Sequence, residues 1–271
     1  MMNAIAPMRI GRSYQAHLSS MQTLRQVRSF VLRAGRVTAG QERALRELWP
    51  RYGVDFTTAR LDLDVLFGRS APRCLEIGFG TGEVIGSLAA AHPQVDYLGI
   101  EVHRPGVGRL LLRAENAGLT NLRVICHDAV EVLATQVGAG SCDEILVFFP
   151  DPWHKKRHHK RRLIQPDFVR CLGDTLRPGG ILRLATDWQA YAEQMLEVCN
   201  AESGLLSLNT DGLYVRRPDF RPPTRFERRG ERLGHGVWDL AYIKRDAANI
   251  PIASAVGWEL NKPVDSGRRT P

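Results

Sequence analysis

Residues 148–163, FFPDPWHKKRHHKRRL, bring together side chains that could bind a ligand and a polyanion. Two phenylalanines that read as the end of a buried strand lead into Asp151, which lies between two prolines, and Trp153 follows. Because proline restricts its own backbone and that of the residue before it, this loop is stiff and aims the Asp151 carboxylate. The next nine residues contain six lysines or arginines and three histidines. We therefore expect a ligand site beside a strongly positive surface.

A second candidate is the glycine-rich turn GFGTG, which follows an apolar run. Its spacing differs from the dinucleotide pattern G-x-G-x-x-G because the third glycine, Gly82, comes one residue early. Glu76 and Glu83 bracket the turn and would repel a pyrophosphate at the N-terminus of the following helix. The turn therefore favours a cationic nucleoside without phosphates, which the backbone at Gly78 and Gly80 can approach closely.

The elements that must position these residues are apolar runs separated by helical patterns. The predicted strands are residues 73–77, 95–101, 122–128, 143–149 and 179–186. Between two of them, Pro105 and the apolar spacing that follows it indicate the first turn of a helix. Continuous apolar strands that alternate with helices are typical of a parallel sheet covered on both faces, and hence of an α/β fold. A last run at residues 237–245 alternates in hydropathy and predicts a more exposed strand.

Carboxylates stand at the ends of the first three predicted strands. Ligands of open α/β sheets bind outside the carboxyl ends of the strands, so Glu76, Glu101 and Asp128 would lie along one ligand. S-Adenosylmethionine fits, because Glu101 can accept hydrogen bonds from both ribose hydroxyls and Asp128 from the adenine amino group. Asp151, after the fourth strand, would reach the edge to which the sulfonium methyl group points. In the alternative interpretation, Glu101 or Asp128 only caps the helix that follows.

The composition indicates an ordered chain with a polyanionic partner. Its 271 residues are 44% hydrophobic, which is enough to bury a substantial core. The 37 basic and 29 acidic residues give a net charge of +8, which favours association with nucleic acid. Two segments carry much of the positive charge. The first holds Lys155, Lys156, Arg157, Lys160, Arg161 and Arg162, and the second holds Arg216, Arg217, Arg221, Arg225, Arg228 and Arg229.

The chain divides by pattern into a mobile arm at residues 1–34, one domain at residues 35–245 and a tail at residues 246–271. No apolar stretch reaches 18 residues and the start lacks a signal peptide, so we expect a soluble protein with no membrane partner. The five cysteines are far apart and form no CxxC pair, which indicates a reducing, cytoplasmic location. His154 and His158 are four residues apart but lack a third ligand, so we expect no metal.

From about Arg28 to about Lys244 the chain resembles the bacterial tRNA (guanine-N7)-methyltransferases. Six blocks in the same order carry the resemblance: EIGFGTGE, GIEVHRPGV, HDAVEVL, FFPDPWHKKRHHKRRL, LRLATDWQAYAEQML and TRFERRGERLGHGVWDL. The resemblance implies the Rossmann-like fold of class I S-adenosylmethionine-dependent methyltransferases, with a doubly wound, mostly parallel sheet. It also implies S-adenosylmethionine as methyl donor, tRNA as partner and guanine 46 of the variable loop as the methylated base.

The same resemblance implies roles for single residues. The implied donor-binding positions are Glu76, Glu101, Asp128 and Asp151, and Asp151 is also the implied catalytic residue. The implied substrate-binding positions are Lys155, Asp187, Thr224, Arg225, Phe226 and Glu227. Asp187 has a second interpretation, because it precedes a predicted helix that it could cap.

Several alternatives stay open from the sequence. The Pro-Asp-Pro-Trp loop is similar to the Asp/Asn-Pro-Pro-aromatic loop of enzymes that methylate exocyclic amines in RNA or DNA. A non-catalytic RNA-binding protein on a methyltransferase fold is another function class, and a dinucleotide oxidoreductase is a third that Glu76 and Glu83 disfavour. Trp153 could stack on a base or merely anchor its loop. A monomer and a homodimer are both compatible with the sequence.

Overall fold

The computed structural model describes residues 29–30, 37–209, 213–221 and 236–246, in which strands alternate with helices. The strands are β1 Gly53–Val54, β2 Arg73–Ile77, β3 Asp96–Ile100, β4 Leu122–Ile125, β5 Cys142–Phe148, β6 Leu176–Thr186, β7 Leu205–Ser207 and β8 Trp238–Lys244. The helices are α1 Ala39–Glu47, α2 Trp49–Tyr52, α3 Leu63–Phe67, α4 Glu83–Ala91, α5 Arg104–Asn116, α6 Ala129–Thr135, α7 Pro166–Thr175 and α8 Gln189–Ala201. A 3-10 helix covers Lys156–Arg161.

These strands form one sheet in the order β1-β4-β3-β2-β5-β6-β8-β7. β8 is antiparallel to β6 and β7, and the other neighbouring pairs are parallel. The chain steps outward from β2 to β3 and β4 and then returns to the other side of β2 with β5, so the strand order reverses between β2 and β5. This reversal opens a ligand crevice at the carboxyl ends of the strands. The predicted α/β class with a doubly wound, mostly parallel sheet is confirmed.

Both faces of the sheet are buried under helices. Leu75 and Ile77 of β2 pack into one apolar cluster, whereas Cys74 of the same strand packs into a second one. All five residues of β3 are buried. Because each strand loses water from both sides, its sequence reads as a continuous apolar run, which is why these strands could be predicted.

Helix α5 begins next to the glycine-rich turn. Its N-cap is His103 and Pro105 lies in its first turn, as predicted. A Cβ atom added to Gly106 would come within 2.1 Å of the carbonyl oxygen of Gly80, so only glycine allows this approach. The first turn of α5 therefore packs directly against the backbone of the turn that follows β2.

The prediction of an exposed last strand was wrong. β8 lies inside the sheet between β6 and β7, and its five central residues are buried. The alternation in hydropathy came from Asp239, which is buried and accepts two hydrogen bonds from Nη2 of Arg221 at 2.8 and 3.1 Å. A buried charged residue with a partner looks like a solvent-facing residue in the sequence. None of the helices in the described ranges is long and apolar enough to cross a bilayer.

Candidate functional site

The turn after β2 has a backbone that favours glycine at three positions. Gly78, Gly80 and Gly82 have φ angles of 73°, 55° and 70°. The Gly78 N–H donates to the carbonyl oxygen of Ile100 at 2.8 Å, which holds the end of β2 against the end of β3. L residues with side chains rarely adopt these angles, so the predicted tight turn is confirmed.

Glu101, which follows β3, is buried against this turn with 8% of its surface exposed. Its Oε2 accepts a hydrogen bond from the Gly80 N–H at 2.8 Å. Its Oε1 accepts from the N–H groups of Val102 at 2.7 Å and His103 at 2.9 Å. A carboxylate has about four acceptor positions, and the backbone uses three of them. With these three bonds in place about one acceptor position is left for a ribose hydroxyl, and the expectation that Glu101 accepts from both hydroxyls stays a prediction.

Glu76 is a buried carboxyl group inside β2, with 3% of its surface exposed. Its Oε2 has no hydrogen-bond partner among the residues that the structure describes. Burial raises the pKa of Glu76 to about 8, a hydrogen bond from the Ile85 backbone opposes this rise, and the charge of Glu101 adds to it. A buried, unsatisfied acceptor is costly, and a cationic ligand would supply the missing partner.

Asp128 is the N-cap of α6, and its Oδ1 accepts from the Val130 N–H at 3.0 Å. The capping interpretation is therefore confirmed for one carboxylate oxygen. The neighbouring ring of His127 stacks on Phe56 with centroids 3.7 Å apart, and its Nε2 lies 2.6 Å from Oε2 of Glu131. This stack and this pair hold the His127 side chain next to Asp128 in the chain.

Asp151 lies exposed on the loop after β5, between two residues with unusual backbones. Phe149 has a φ angle of 53° and Trp153 one of 47°. Positive φ is strained for bulky side chains and persists only where the surroundings hold it. The backbone of this loop is therefore restricted by prolines in its middle and has positive φ angles at both ends, and its stiffness stays a prediction.

Trp153 anchors this loop. Its Nε1 donates to the carbonyl oxygen of Ser29 at 3.0 Å, and the guanidinium of Arg161 lies 4.9 Å from the indole centroid. The ring of His158 contacts it edge-on, with centroids 5.8 Å apart. Of the two interpretations of Trp153, these contacts favour the anchor.

The first basic segment is a 3-10 helix with most of its charges in water. Lys155, Lys156, Arg157 and Lys160 are exposed, and Arg161 is partly buried. Arg162 is different, because only 2% of its surface is exposed. Arg162 therefore does not belong to the positive surface that was predicted for this segment, and the sequence gives no sign of its burial within a run of like residues.

The second basic segment contains a similar exception. Arg221 is fully buried, pairs with Asp239 and lies 5.2 Å from the ring centroid of Phe149. It belongs to the core and offers no charge to a ligand. Arg216 remains exposed.

Asp187 stands after β6 at the rim of an open cavity. The N-cap of α8 is Trp188 and no side chain caps this helix, so the capping interpretation of Asp187 was wrong. The cavity has a volume of about 560 Å³. Its lining consists of Asp187, Trp188, Gln189, Ala190, Glu193, Gly236 and Trp238. The ring of His154 contacts that of Trp188 at 4.2 Å between centroids, which joins the Asp151 loop to this cavity.

Four predicted substrate-binding residues lie outside the described residues. They are Thr224, Arg225, Phe226 and Glu227. Lys155, by contrast, precedes the 3-10 helix on the exposed side of the Asp151 loop. Trp188, Glu193 and Trp238 line the cavity but were not predicted as site residues. They belong to no sequence motif whose spacing is typical of a ligand site. No group of three or more possible metal ligands occurs in the described residues.

Comparisons with known proteins agree with this geometry. Residues 70–240 match the family model described as "Putative methyltransferase". The chain is 54% identical to the tRNA (guanine-N(7)-)-methyltransferase of Alcanivorax borkumensis over 224 residues, which are 83% of this chain and 94% of that relative. It is 56% identical to the protein of the same name from Aeromonas hydrophila over 219 residues, which are 81% of this chain and 92% of that relative.

Solved structures that share the fold are more distant in sequence. The 16S rRNA methyltransferase KamB has a TM-score of 0.51 at 17% identity, with 68% of this chain and 93% of that one covered. The 16S rRNA (adenine(1408)-N(1))-methyltransferase from Catenulisporales acidiphilia, solved with its cosubstrate SAM, has a TM-score of 0.50 at 19% identity and covers 71% and 95%. At these identities the likeness concerns the fold alone, and it agrees with the strand order of the sheet.

Proposed function

The chain belongs to the tRNA (guanine-N(7)-)-methyltransferase family, and we propose that the base it methylates is guanine 46 in the variable loop of tRNA. The reaction transfers a methyl group from S-adenosylmethionine to N7 of a guanine in tRNA. The observation that supports this function most strongly is sequence identity to the relatives from Alcanivorax borkumensis and Aeromonas hydrophila. It is 54% and 56% over 94% and 92% of their lengths. Exocyclic-amine methylation and a non-catalytic RNA-binding role have no comparable support.

Three carboxylates, Glu76, Glu101 and Asp128, would bind the methyl donor in the crevice between β2 and β5. The donor, when bound, supplies an electrophilic methyl group on a sulfonium. Glu76 offers a buried carboxyl oxygen without a described partner, which fits a cationic group. Glu101 holds the Gly80 backbone and retains about one acceptor position for a ribose hydroxyl. Asp128, through its place beside the His127 and Phe56 stack, would face the adenine amino group.

Asp151 is the proposed catalytic residue. Guanine N7 has an in-plane lone pair that is unprotonated at neutral pH, so its attack needs positioning and no general base. The methylated base carries a positive charge, and a carboxylate held at this edge stabilises that charge as it develops. The Asp151 carboxylate can also accept hydrogen bonds from the guanine edge, which would orient the base.

The substrate side would be formed by Asp187, Lys155 and the segment Thr224, Arg225, Phe226 and Glu227. Asp187 lines the open cavity next to the Asp151 loop, and its carboxylate would accept from N1 or N2 of guanine. Lys155 is an exposed cation beside Asp151 and would contact a phosphate or a base edge. We assign the segment from Thr224 by family resemblance alone.

The exposed cations of the 3-10 helix would bind the tRNA backbone. Each Lys or Arg that neutralises a phosphate releases counterions, so binding weakens as salt rises. We place the catalytic domain at residues 35–245, with residues 1–34 and 246–271 as extensions, and the protein in the cytoplasm with its tRNA substrate. The free cysteines of the described residues suit a reducing compartment.

The deciding experiment incubates the full chain with isotope-labelled S-adenosylmethionine and two unmodified tRNA transcripts. One transcript has guanine at position 46 and its matched control has adenine there. Nucleoside mass spectrometry identifies the labelled product. We expect labelled N7-methylguanosine from the first transcript and none from the second.

Two results would change the proposal. Label in N7-methylguanosine from both transcripts would move the target to another guanine and keep the reaction. Label in a methylated exocyclic amine would overturn the reaction, because that product lacks the fixed positive charge of N7-methylguanosine.

A further inference from the structure

Arg162 connects the Asp151 loop to helix α8. Its Nε donates to the carbonyl oxygen of Pro152 at 2.8 Å. Its Nη1 donates to the carbonyl oxygen of Ala190 at 3.1 Å and to Oε1 of Gln194 at 2.7 Å. Its guanidinium also lies 4.7 Å from the ring centroid of Tyr191. One side chain thus contacts the residue after Asp151 and three residues of α8.

The burial of Arg162 sets it apart from the rest of the basic segment. Only 2% of its surface is exposed, and no carboxylate among the described residues pairs with it. Its guanidinium donates instead to neutral oxygens and to Nε2 of His159 at 3.1 Å. A buried cation costs free energy unless its donors are satisfied, and here the planar guanidinium contacts four acceptors.

The connection joins the two loops that carry the candidate carboxylates. Pro152 follows Asp151 on the loop after β5, whereas Ala190 lies in the first turn of α8, three residues after Asp187. Further hydrogen bonds brace the same place. The Ile164 N–H donates to the hydroxyl of Tyr191 at 3.0 Å, and Nε2 of Gln194 donates to the Ile164 carbonyl oxygen at 3.1 Å.

Strain explains why this brace matters. Trp153, directly after Pro152, has a φ angle of 47°, which a tryptophan adopts only under constraint. Arg162 holds the peptide that leads into this residue. Without the brace, the loop can relax to ordinary angles and carry Asp151 with it.

We propose that Arg162 is a positioning residue for methyl transfer, which fixes the Asp151 loop against α8 and makes no contact with tRNA. The inference rests on the proposed role of Asp151. A displacement of about 1 Å at a reacting centre costs roughly 100-fold in rate. Lysine at this position keeps the charge but lacks the planar fork that reaches Pro152 and α8 together.

The test compares Arg162→Lys and Arg162→Gln with Lys160→Gln, which removes a charge from the exposed side of the same segment. Arg170→Lys, a half-exposed arginine on α7, is the matched conservative control. For each protein we would measure the single-turnover rate at saturating tRNA and donor, the Kd for tRNA across a salt series, and the Kd for the donor.

We expect Arg162→Lys and Arg162→Gln to lower the single-turnover rate about 10- to 100-fold. Their tRNA affinity and salt dependence should stay within about twofold of wild type, since neither side chain reaches a phosphate. Lys160→Gln should instead weaken tRNA binding and reduce the salt slope by about one. Arg170→Lys should match wild type in each quantity.

A native rate in Arg162→Lys together with a reduced salt slope in Arg162→Gln would overturn the proposal and make Arg162 a phosphate contact.

If both variants lose donor binding and unfold at lower temperature, the Gln194→Ala variant tests the proposal instead, because it removes one hydrogen-bond acceptor of Arg162 without a change in charge. A native rate in Gln194→Ala would then overturn the proposal, and a slower rate with native tRNA affinity would support it. Absence of N7-methylguanosine from the wild-type reaction would be a failure of the proposed function itself.

Discussion

The N–H of Gly80 donates a hydrogen bond of 2.8 Å to Oε2 of Glu101, so the carboxylate after β3 fastens the turn after β2. The ends of two neighbouring strands of the sheet are thereby joined. Loss of the carboxylate would release the turn and remove the acceptor that we propose for the donor ribose.

Glu101→Gln should weaken binding of S-adenosylmethionine about 10- to 100-fold. An amide has a single acceptor oxygen, so at least one of the three backbone N–H groups would face an NH2 group, at a cost of about 1–3 kcal/mol. Isothermal titration calorimetry measures the Kd. Glu115→Gln, exposed on α5, is the matched control, and equal affinity in both variants would contradict a donor-binding role of Glu101.

Glu76 should make the free protein less stable as pH rises. Its pKa in the folded state is about 8 against an ordinary value of 4.5, so the folded protein holds a proton that the unfolded chain has lost between these values. The stability that the neutral group contributes is complete below about pH 4.5 and is lost as the pH rises through about 8. Urea unfolding at pH 5, 7 and 9 measures this change. Between pH 5 and pH 9 the free energy of unfolding of Glu76→Gln should increase relative to that of wild type by on the order of 1–3 kcal/mol.

Donor binding gives the complementary measurement for Glu76. A cationic ligand favours the charged carboxylate, so wild-type affinity for S-adenosylmethionine should rise between pH 6 and pH 9. Glu76→Gln should lose this pH dependence. Parallel affinity curves for the two proteins would mean that the buried carboxyl group does not meet the donor.

Asp151→Ala should lower the rate of methyl transfer by about 100- to 1,000-fold, because the lost interaction stabilises charge that develops in the reaction. Since Asp151 is exposed, the free energy of unfolding should change by less than about 0.5 kcal/mol. Single-turnover kinetics and urea unfolding together check both statements. A rate near that of wild type would remove Asp151 from the mechanism.

Replacement of Lys155, Lys156 and Arg157 by alanine should weaken tRNA binding and reduce the slope of log Kd against log salt by about 2 to 3. These side chains are exposed beside the Asp151 loop. Filter binding across a salt series measures the slope. The donor Kd serves as the internal control, and an unchanged slope would direct attention to the second basic segment.

Arg221→Ala should destabilise the protein by about 3–5 kcal/mol, because it removes a buried cation that pairs with the buried carboxylate of Asp239. Arg216→Ala, in the same segment but with its side chain 91% exposed, should change stability by less than about 0.5 kcal/mol. Chemical denaturation compares the two. Equal, small effects would show that the Arg221–Asp239 pair does not stabilise the fold.

The strands from β2 to β6, the glycine turn and the carboxylates at the strand ends could be predicted from the sequence. A parallel sheet that is buried on both faces leaves apolar runs, and such a sheet collects the ends of its strands at one edge. The turn requires positive φ angles, for which glycine is the ordinary signal. Pro105 marked the start of α5 for an equally local reason.

Tertiary structure decided what each charged residue does. Arg162 and Lys160 stand two positions apart in one basic segment, yet one braces the Asp151 loop and the other faces water. Asp239 and Arg221 look like surface residues in the sequence and form a buried pair. Charge is a property of a residue type, whereas burial depends on which distant segments pack around it. The sequence by itself therefore determined the fold class and the family and predicted the edge of the sheet where the candidate site lies. Only the three-dimensional packing separated the exposed charges from the buried charges that support the fold.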